Sequence, residues 1–330
     1  MKKIVFQLFF LALVISVYAQ EAKPKGTIEF ISNELSSVIK KDAKVEIVAE
    51  GFQFTEGPLW VEKEKMLLVS DIPANTIYKW TEARGKEVFL TPAGYTDSVK
   101  RGGFMGPNGM VISPDGKLWV CQHGDQRIAM MDAPLNDPKP NFVTVAGVFE
   151  GKRLNSPNDL FLTKNGDLYF TDPSYGFEKG PRDPKKELPF NGVYKMSKSG
   201  TITLLTDSID QPNGIGIMPD GKTLLVSNSD GRKRRWYSYE LNSDGTIKSG
   251  KIFYDASNEQ APGLCDGFRI DKNGNVFAAG PGGIWIFNKN GKLLGKIKVD
   301  GVTVSNCALS PDNKTLYITA VQYLLRVKMR

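Results

Sequence analysis

Short runs of alternating apolar and polar residues, bounded by Gly, Pro, Asn and Asp, fill most of the chain, and helical periodicity is nearly absent. The stretch "QPNGIGIMPDG" (211–221) shows the unit: a polar lead, an alternating run, and a turn. Aligned on that phrase, six copies start at Gly57, Gly106, Ser156, Gln211, Leu264 and Ser305, spaced 49, 50, 55, 53 and 41 residues apart. Asp115-Gly116, Asn165-Gly166, Asp220-Gly221 and Asn273-Gly274 predict two-residue hairpin turns inside the copies, with Asp312-Asn313 a weaker equivalent. A second strand pair follows in most copies, as in "GVYKMSKSGTITLL" and "GIWIFNKNGKLLGKI". Four antiparallel strands per repeat, six times over, predict an all-β fold, a six-bladed β-propeller. Its ring must close, so the strand "KVEIVAE" (44–50) or its neighbour is expected to pair with the C-terminal blade. The segment "FISNELSSVIKKD" predicts one short helical turn.

Residues 1–19 read as a leader: Lys2 and Lys3, an apolar run from Ile4 to Val17, then Val17-Tyr18-Ala19. The expected organisation is a signal peptide (1–19), an N-terminal extension (20–43) and the propeller (44–330), in a protein exported to the periplasm or secreted. No Cys follows the apolar run, and no later stretch reaches about 18 consecutive apolar residues, so no stable membrane anchor is expected. Cys121, Cys265 and Cys307 are odd in number and fit no metal-knuckle spacing; buried free thiols are expected, with one bridge and one free thiol as the alternative. The formal charge of +7 is mild, and the one dense basic run, Arg232–Arg235, has no stacking module beside it, so it reads as a solvated loop and not a nucleic-acid site.

The first residues of each copy belong where the blades converge. The same slot holds Glu56, Asn108, Asn158, Asn213, Asp266 and Asn306. Asn and Asp before Gly are ordinary turn residues, but Glu56 is not one, and six polar side chains in register at a buried axis need partners. Water, mutual hydrogen bonds or a cation would serve. Carboxylates and amide oxygens without Cys or His are the ligand set that Ca²⁺ prefers, with another divalent cation possible, and the chain has one His.

"TEGPLW", "SPND", "QPNG" and "CDGFRID", in this order, resemble the metal-site motifs of the gluconolactonase and senescence-marker-protein family, which includes the regucalcins. "HGDQRI" and "TDPSYGF", followed by "FNGVYKM", resemble its bacterial lactonase branch. The likeness runs from about Lys44 to the C-terminus and implies a propeller with a central metal site. Carried over, it makes Glu56, Asn213 and Asp266 metal ligands and Asn158 a further ligand or a substrate contact; Asn108 and Asn306 would face the substrate.

The resemblance implies a small lactone or sugar-derived substrate. Lactone opening develops charge on a carbonyl oxygen, which a metal would polarise while Asp266 serves as general base or nucleophile, or as ligand only. No G-x-S-x-G elbow or dinucleotide fingerprint is present. His123 is read as ending its strand as Asp71, Asp172 and Asn228 end theirs, all four near the axial mouth; a proton relay, a substrate contact and a structural hydrogen bond are its open roles. The long insertion 172–192 suits a binding loop whose Tyr175 and Phe177 cover a sugar ring, with a surface decoration as the alternative, and Arg153 is read as reaching a substrate hydroxyl or carboxylate or as facing solvent. A metal-dependent esterase or phosphotriesterase at the same site, and a non-enzymatic binding propeller, are the alternatives.

Overall fold

A computed structural model describes residue 23, residues 25–99 and residues 101–330. The leader-like segment 1–19 lies outside the described residues. Six antiparallel sheets of four or five strands, one per repeat, surround a common axis, each with its innermost strand beginning at the repeated phrase. These strands are Thr55–Val61, Pro107–Ile112, Leu160–Leu162, Pro212–Ile217, Phe268–Ile270 and Asn306–Leu309. The six-bladed β-propeller is as expected.

The tight hairpins differ from expectation. Ser113, Thr163 and Asp271 each close a three-residue loop by bonding to Lys117, Asp167 and Asn275. The reason is local: a β-turn closed from the glycine amide back to Ser113 or Thr163 carries the first two loop residues, and that glycine takes a left-handed conformation, with φ of 81° at Gly116 and 95° at Gly166.

Ring closure is as expected: Val45–Glu50 pairs antiparallel with Tyr323–Lys328, so the sixth blade joins one N-terminal strand to three C-terminal ones. The preceding strand, Lys25–Phe30, pairs with Leu293–Asp300 and gives the fifth blade a fifth strand. Between the two lies a short 3₁₀ helix, Asn33–Ser37, which carries Leu35, buried with the nearby Ile39, against the fifth and sixth blades. Apolar side chains fill the spaces between blades; Trp236, Trp285 and Phe287 form one such contact between the fourth and fifth. Cys121, Cys265 and Cys307 are buried and free. Among the described residues no helix is long and apolar enough to cross a membrane.

Candidate active site

The opening phrase packs polar side chains around the axis by removing Cβ atoms beside them. A Cβ at Gly267 would lie 2.0 Å from Cγ of Asn306, and one at Gly57 would lie 2.0 Å from the Asn108 carbonyl oxygen. Glycine after the axial residue is therefore what lets neighbouring blades approach. Hydroxyls tie the inner strands together: Ser70 Oγ donates to the Asn108 carbonyl at 2.7 Å, Thr171 Oγ1 to that of Asn213 at 2.6 Å, and Ser305 Oγ to that of Thr55 at 2.7 Å.

The structure brings the six predicted axial residues together. Asn108 Nδ2 donates to Asn158 Oδ1 at 2.7 Å, and Asn158 Nδ2 to Asn213 Oδ1 at 2.9 Å. Where the sixth blade meets the first, Asn306 Nδ2 donates to Glu56 Oε2 at 2.9 Å, and the Gly57 amide donates to the same oxygen at 2.7 Å. Five of the six residues are no more than 6% exposed, whereas Asp266 is half-buried. Burial raises the Glu56 carboxyl to about 7; burial and then the Glu56 charge raise Asp266 well above the carboxylate range.

Beneath the ring lies a pair that sequence reasoning missed. Arg269 Nη1 sits 3.2 Å from Asp159 Oδ2, with the carboxylate 1% exposed. Asp159 follows Asn158 in the slot that is glycine in four other blades, and its charge there was the available signal. The axis thus holds three carboxylates, Glu56, Asp159 and Asp266, against one guanidinium. When all are ionised, the excess equals the charge of a divalent cation.

The donor set fits such an ion. All six ring side chains offer oxygen, and Asn108 Oδ1 is buried with no hydrogen-bond partner. Among the described residues, no three His, Cys, Asp or Glu side chains are grouped to hold a metal, so a cation here would depend on the asparagine oxygens. That chemistry favours calcium over zinc.

His123 needs a correction of one residue. The strand Leu118–Gln122 ends one position earlier, and Gln122, opposite Pro107, is the partner in register of Asp71, Asp172 and Asn228. Those three clamp the loops that lead into the inner strands. Asp71 accepts from the amides of Gln53 and Phe54, Asp172 from those of Asn155 and Ser156, and Asn228 from that of Gln211. His123, one step beyond, places Nε2 3.4 Å from Asn108 Nδ2, while Nδ1 lies 3.1 Å from the Phe104 carbonyl oxygen. A carbonyl only accepts, so Nδ1 carries the proton and the Nε2 lone pair faces the ring amide. Burial lowers the imidazole to about 4 and keeps it neutral near pH 7. The loop that supplies Phe104, which also packs edge-on against Phe54, was not recognised from sequence.

Tyr175 is half-buried beside the ring, 6.5 Å from the His123 ring, with its hydroxyl 3.4 Å from the Gln211 carbonyl oxygen. Phe177 is 4% exposed and packs inward, so of the two expected covering aromatics only Tyr175 has a free part. Arg153 is not brought to the ring: the two-stranded ribbon Val148–Phe149 and Lys152–Arg153 carries it outward, where Nη2 donates to the Asp125 carbonyl at 3.0 Å. The basic run is largely engaged, with Arg232 on Asp230, Lys233 on Asp210, Arg235 on Asp255 and Arg234 on main-chain oxygens.

Residues 54–322 match the SMP-30/Gluconolactonase/LRE-like region. The chain is 38% identical over 312 residues to the gluconolactonase of Zymomonas mobilis, covering 92% of this chain and 86% of that protein. It is 25% identical over 323 residues to a lactonase of Staphylococcus epidermidis, with 92% and 84% covered. A gluconolactonase from Xanthomonas campestris superposes with a TM-score of 0.79 at 28% identity, over 92% of this chain and 95% of that one. Regucalcin of Agrobacterium tumefaciens, a calcium-binding protein, superposes with a TM-score of 0.67 at 18% identity, over 87% and 96%, a likeness of fold alone.

Proposed function

The chain belongs to the SMP-30/gluconolactonase/LRE-like family, and from that premise we propose that it is an exported, calcium-dependent lactonase that opens sugar lactones of the aldonic acid type. The observation that carries this reading is the axial ring of oxygen donors, with an orphaned acceptor at Asn108 and one half-buried carboxylate at Asp266. Glu56, Asn158, Asn213 and Asp266 would hold the ion. When bound, calcium supplies a Lewis acid for the lactone carbonyl oxygen.

The chain's own groups divide the remaining work. Asp266, the only ring member with appreciable exposure, takes the proton of the attacking water. Asn306, with one N–H fixed on Glu56, turns its other N–H to a lactone oxygen, while Asn108, whose N–H groups face Asn158 and His123, offers its free Oδ1 to a substrate hydroxyl. His123, neutral near pH 7, holds the Asn108 amide in place through Nε2. Tyr175 overhangs the site and limits water around the sugar. Arg153, held at Asp125, has no part in this chemistry. Export rests on the leader-like residues 1–19.

The test uses the chain from Gln20, stripped with chelator and assayed for δ-gluconolactone opening by proton release, with the uncatalysed rate subtracted. Activity is expected to require added calcium and to fall about 100-fold or more in Asp266→Ala, in line with the loss of a general base. Full activity without a divalent ion, or in Asp266→Ala, would overturn the assignment. Calcium binding without lactone opening would transfer the site to another ester.

A further inference from the structure

A cavity of about 620 Å³ opens one residue along from His123 and lies within the size range of small-molecule sites. Its wall includes Arg101, Arg127, Arg153 and Lys185. Only Arg127 is neutralised, by Asp125 at 3.0 Å; among the described residues the other three have no carboxylate within ion-pair distance.

The guanidinium groups are held by main-chain oxygens instead. Arg101 donates to the carbonyls of Gly124 and Gly176 and lies 5.0 Å over the Tyr95 ring, while Arg153 donates once, to the Asp125 carbonyl. A carbonyl fixes a guanidinium without cancelling its charge, and a fork with five donors has several left to offer. Three carboxylates share the wall: Asp125 pairs with Arg127, Asp97 accepts from the Val99 amide and Glu187 from the Arg153 amide, which leaves the four cations one charge ahead. The cavity therefore keeps a small positive excess, with the free N–H groups of Arg101 and Arg153 held in place for an oxyanion.

We propose that this cavity binds the carboxylate or phosphate of a small acid, gripped by Arg153 and Lys185 with Arg101 on the inner wall. The site is separate from the axial ring and does not rest on the lactonase reading. Arg153 thus has an oxyanion role after all, in a different place from the one expected.

Isothermal titration of the calcium-loaded chain with gluconate, inorganic phosphate and 6-phosphogluconate tests this, with glucose as the neutral control. Saturable binding of at least one anion and none of glucose is expected, weakening as salt is raised. Tighter binding of gluconate than of phosphate assigns the carboxylate, and the reverse assigns the phosphate. The double change Arg153→Ser/Lys185→Ser should weaken binding about tenfold or more with an unchanged melting temperature, since both side chains lie at the surface. Asp266→Asn should leave the affinity as it is, whether or not the axis is catalytic. No binding of any anion up to about 10 mM, the same affinity in the double variant, or loss of binding in Asp266→Asn would each reject the pocket.

Discussion

At the scale of single residues, His123 gives the sharpest test because it is the only histidine in the chain. In untagged protein its ¹⁵N spectrum is a single pair of signals, expected to show a protonated Nδ1 and a bare Nε2 near pH 7. The imidazole is lowered from 6.5 to about 4. Between those values the unfolded chain binds a proton that the native chain does not, so this contribution to stability is lost as pH falls, by ~3 kcal/mol at most. Urea unfolding at pH 7 and pH 4.5 should show part of that loss disappearing in His123→Gln. Equal pH dependence in both proteins would mean that the imidazole is charged in the fold. Glu56 makes a second case. Glu56→Gln keeps an acceptor for Asn306 but removes one ring charge, and calcium affinity measured by titration should fall about tenfold or more while the fold persists.

At the scale of elements, the clamps on the lead-in loops explain how strands as short as Leu160–Leu162 hold their register. Asp172 receives the Asn155 and Ser156 amides at 2.8 Å each, and Asn155 in turn donates to the carbonyls of Asp172 and Phe190 across the base of the insertion. Asp172→Ala leaves two buried amides without acceptors and should cost about 3 kcal/mol, read as a lower denaturation midpoint; Asp172→Asn should recover roughly half of that. Much of this scale was legible: the repeated phrase located every inner hairpin and put Glu56, Asn158, Asn213 and Asp266 in one ring. A slip of one residue was enough to confuse His123 with Gln122, because strand ends carry no periodic mark. Arg153 was misplaced because nearness in sequence to "SPND" says nothing about a ribbon that turns away from the axis. The Asp159–Arg269 pair joins residues from two blades, and no pattern within either blade announces it.

At the scale of the whole molecule, the N-terminal segment holds two blades at once. Lys25–Phe30 covers the edge of the fifth blade, Leu35 and Ile39 fill the groove beside it, and Val45–Glu50 completes the sixth. Its role could not be read locally, since "KGTIEF" acquires meaning only opposite Leu293–Asp300. A chain starting at residue 44 should lose about 5 kcal/mol, from two buried aliphatic side chains and one strand, and its uncovered edge should promote self-association, visible by light scattering. Unchanged stability and a monodisperse monomer would show that the strap is dispensable.

The closure of the ring also imposes an order in time. The strand that completes the sixth blade is synthesised before the strands of all the other blades' repeats, and its partner, Tyr323–Lys328, after them. Until those final residues emerge, the growing polypeptide is an open arc with an unpaired edge at each end, and the axial groups of blades one and six cannot meet. Five blades hold all their strands by Asp300; the sixth, and with it the complete site, waits for Tyr323–Lys328.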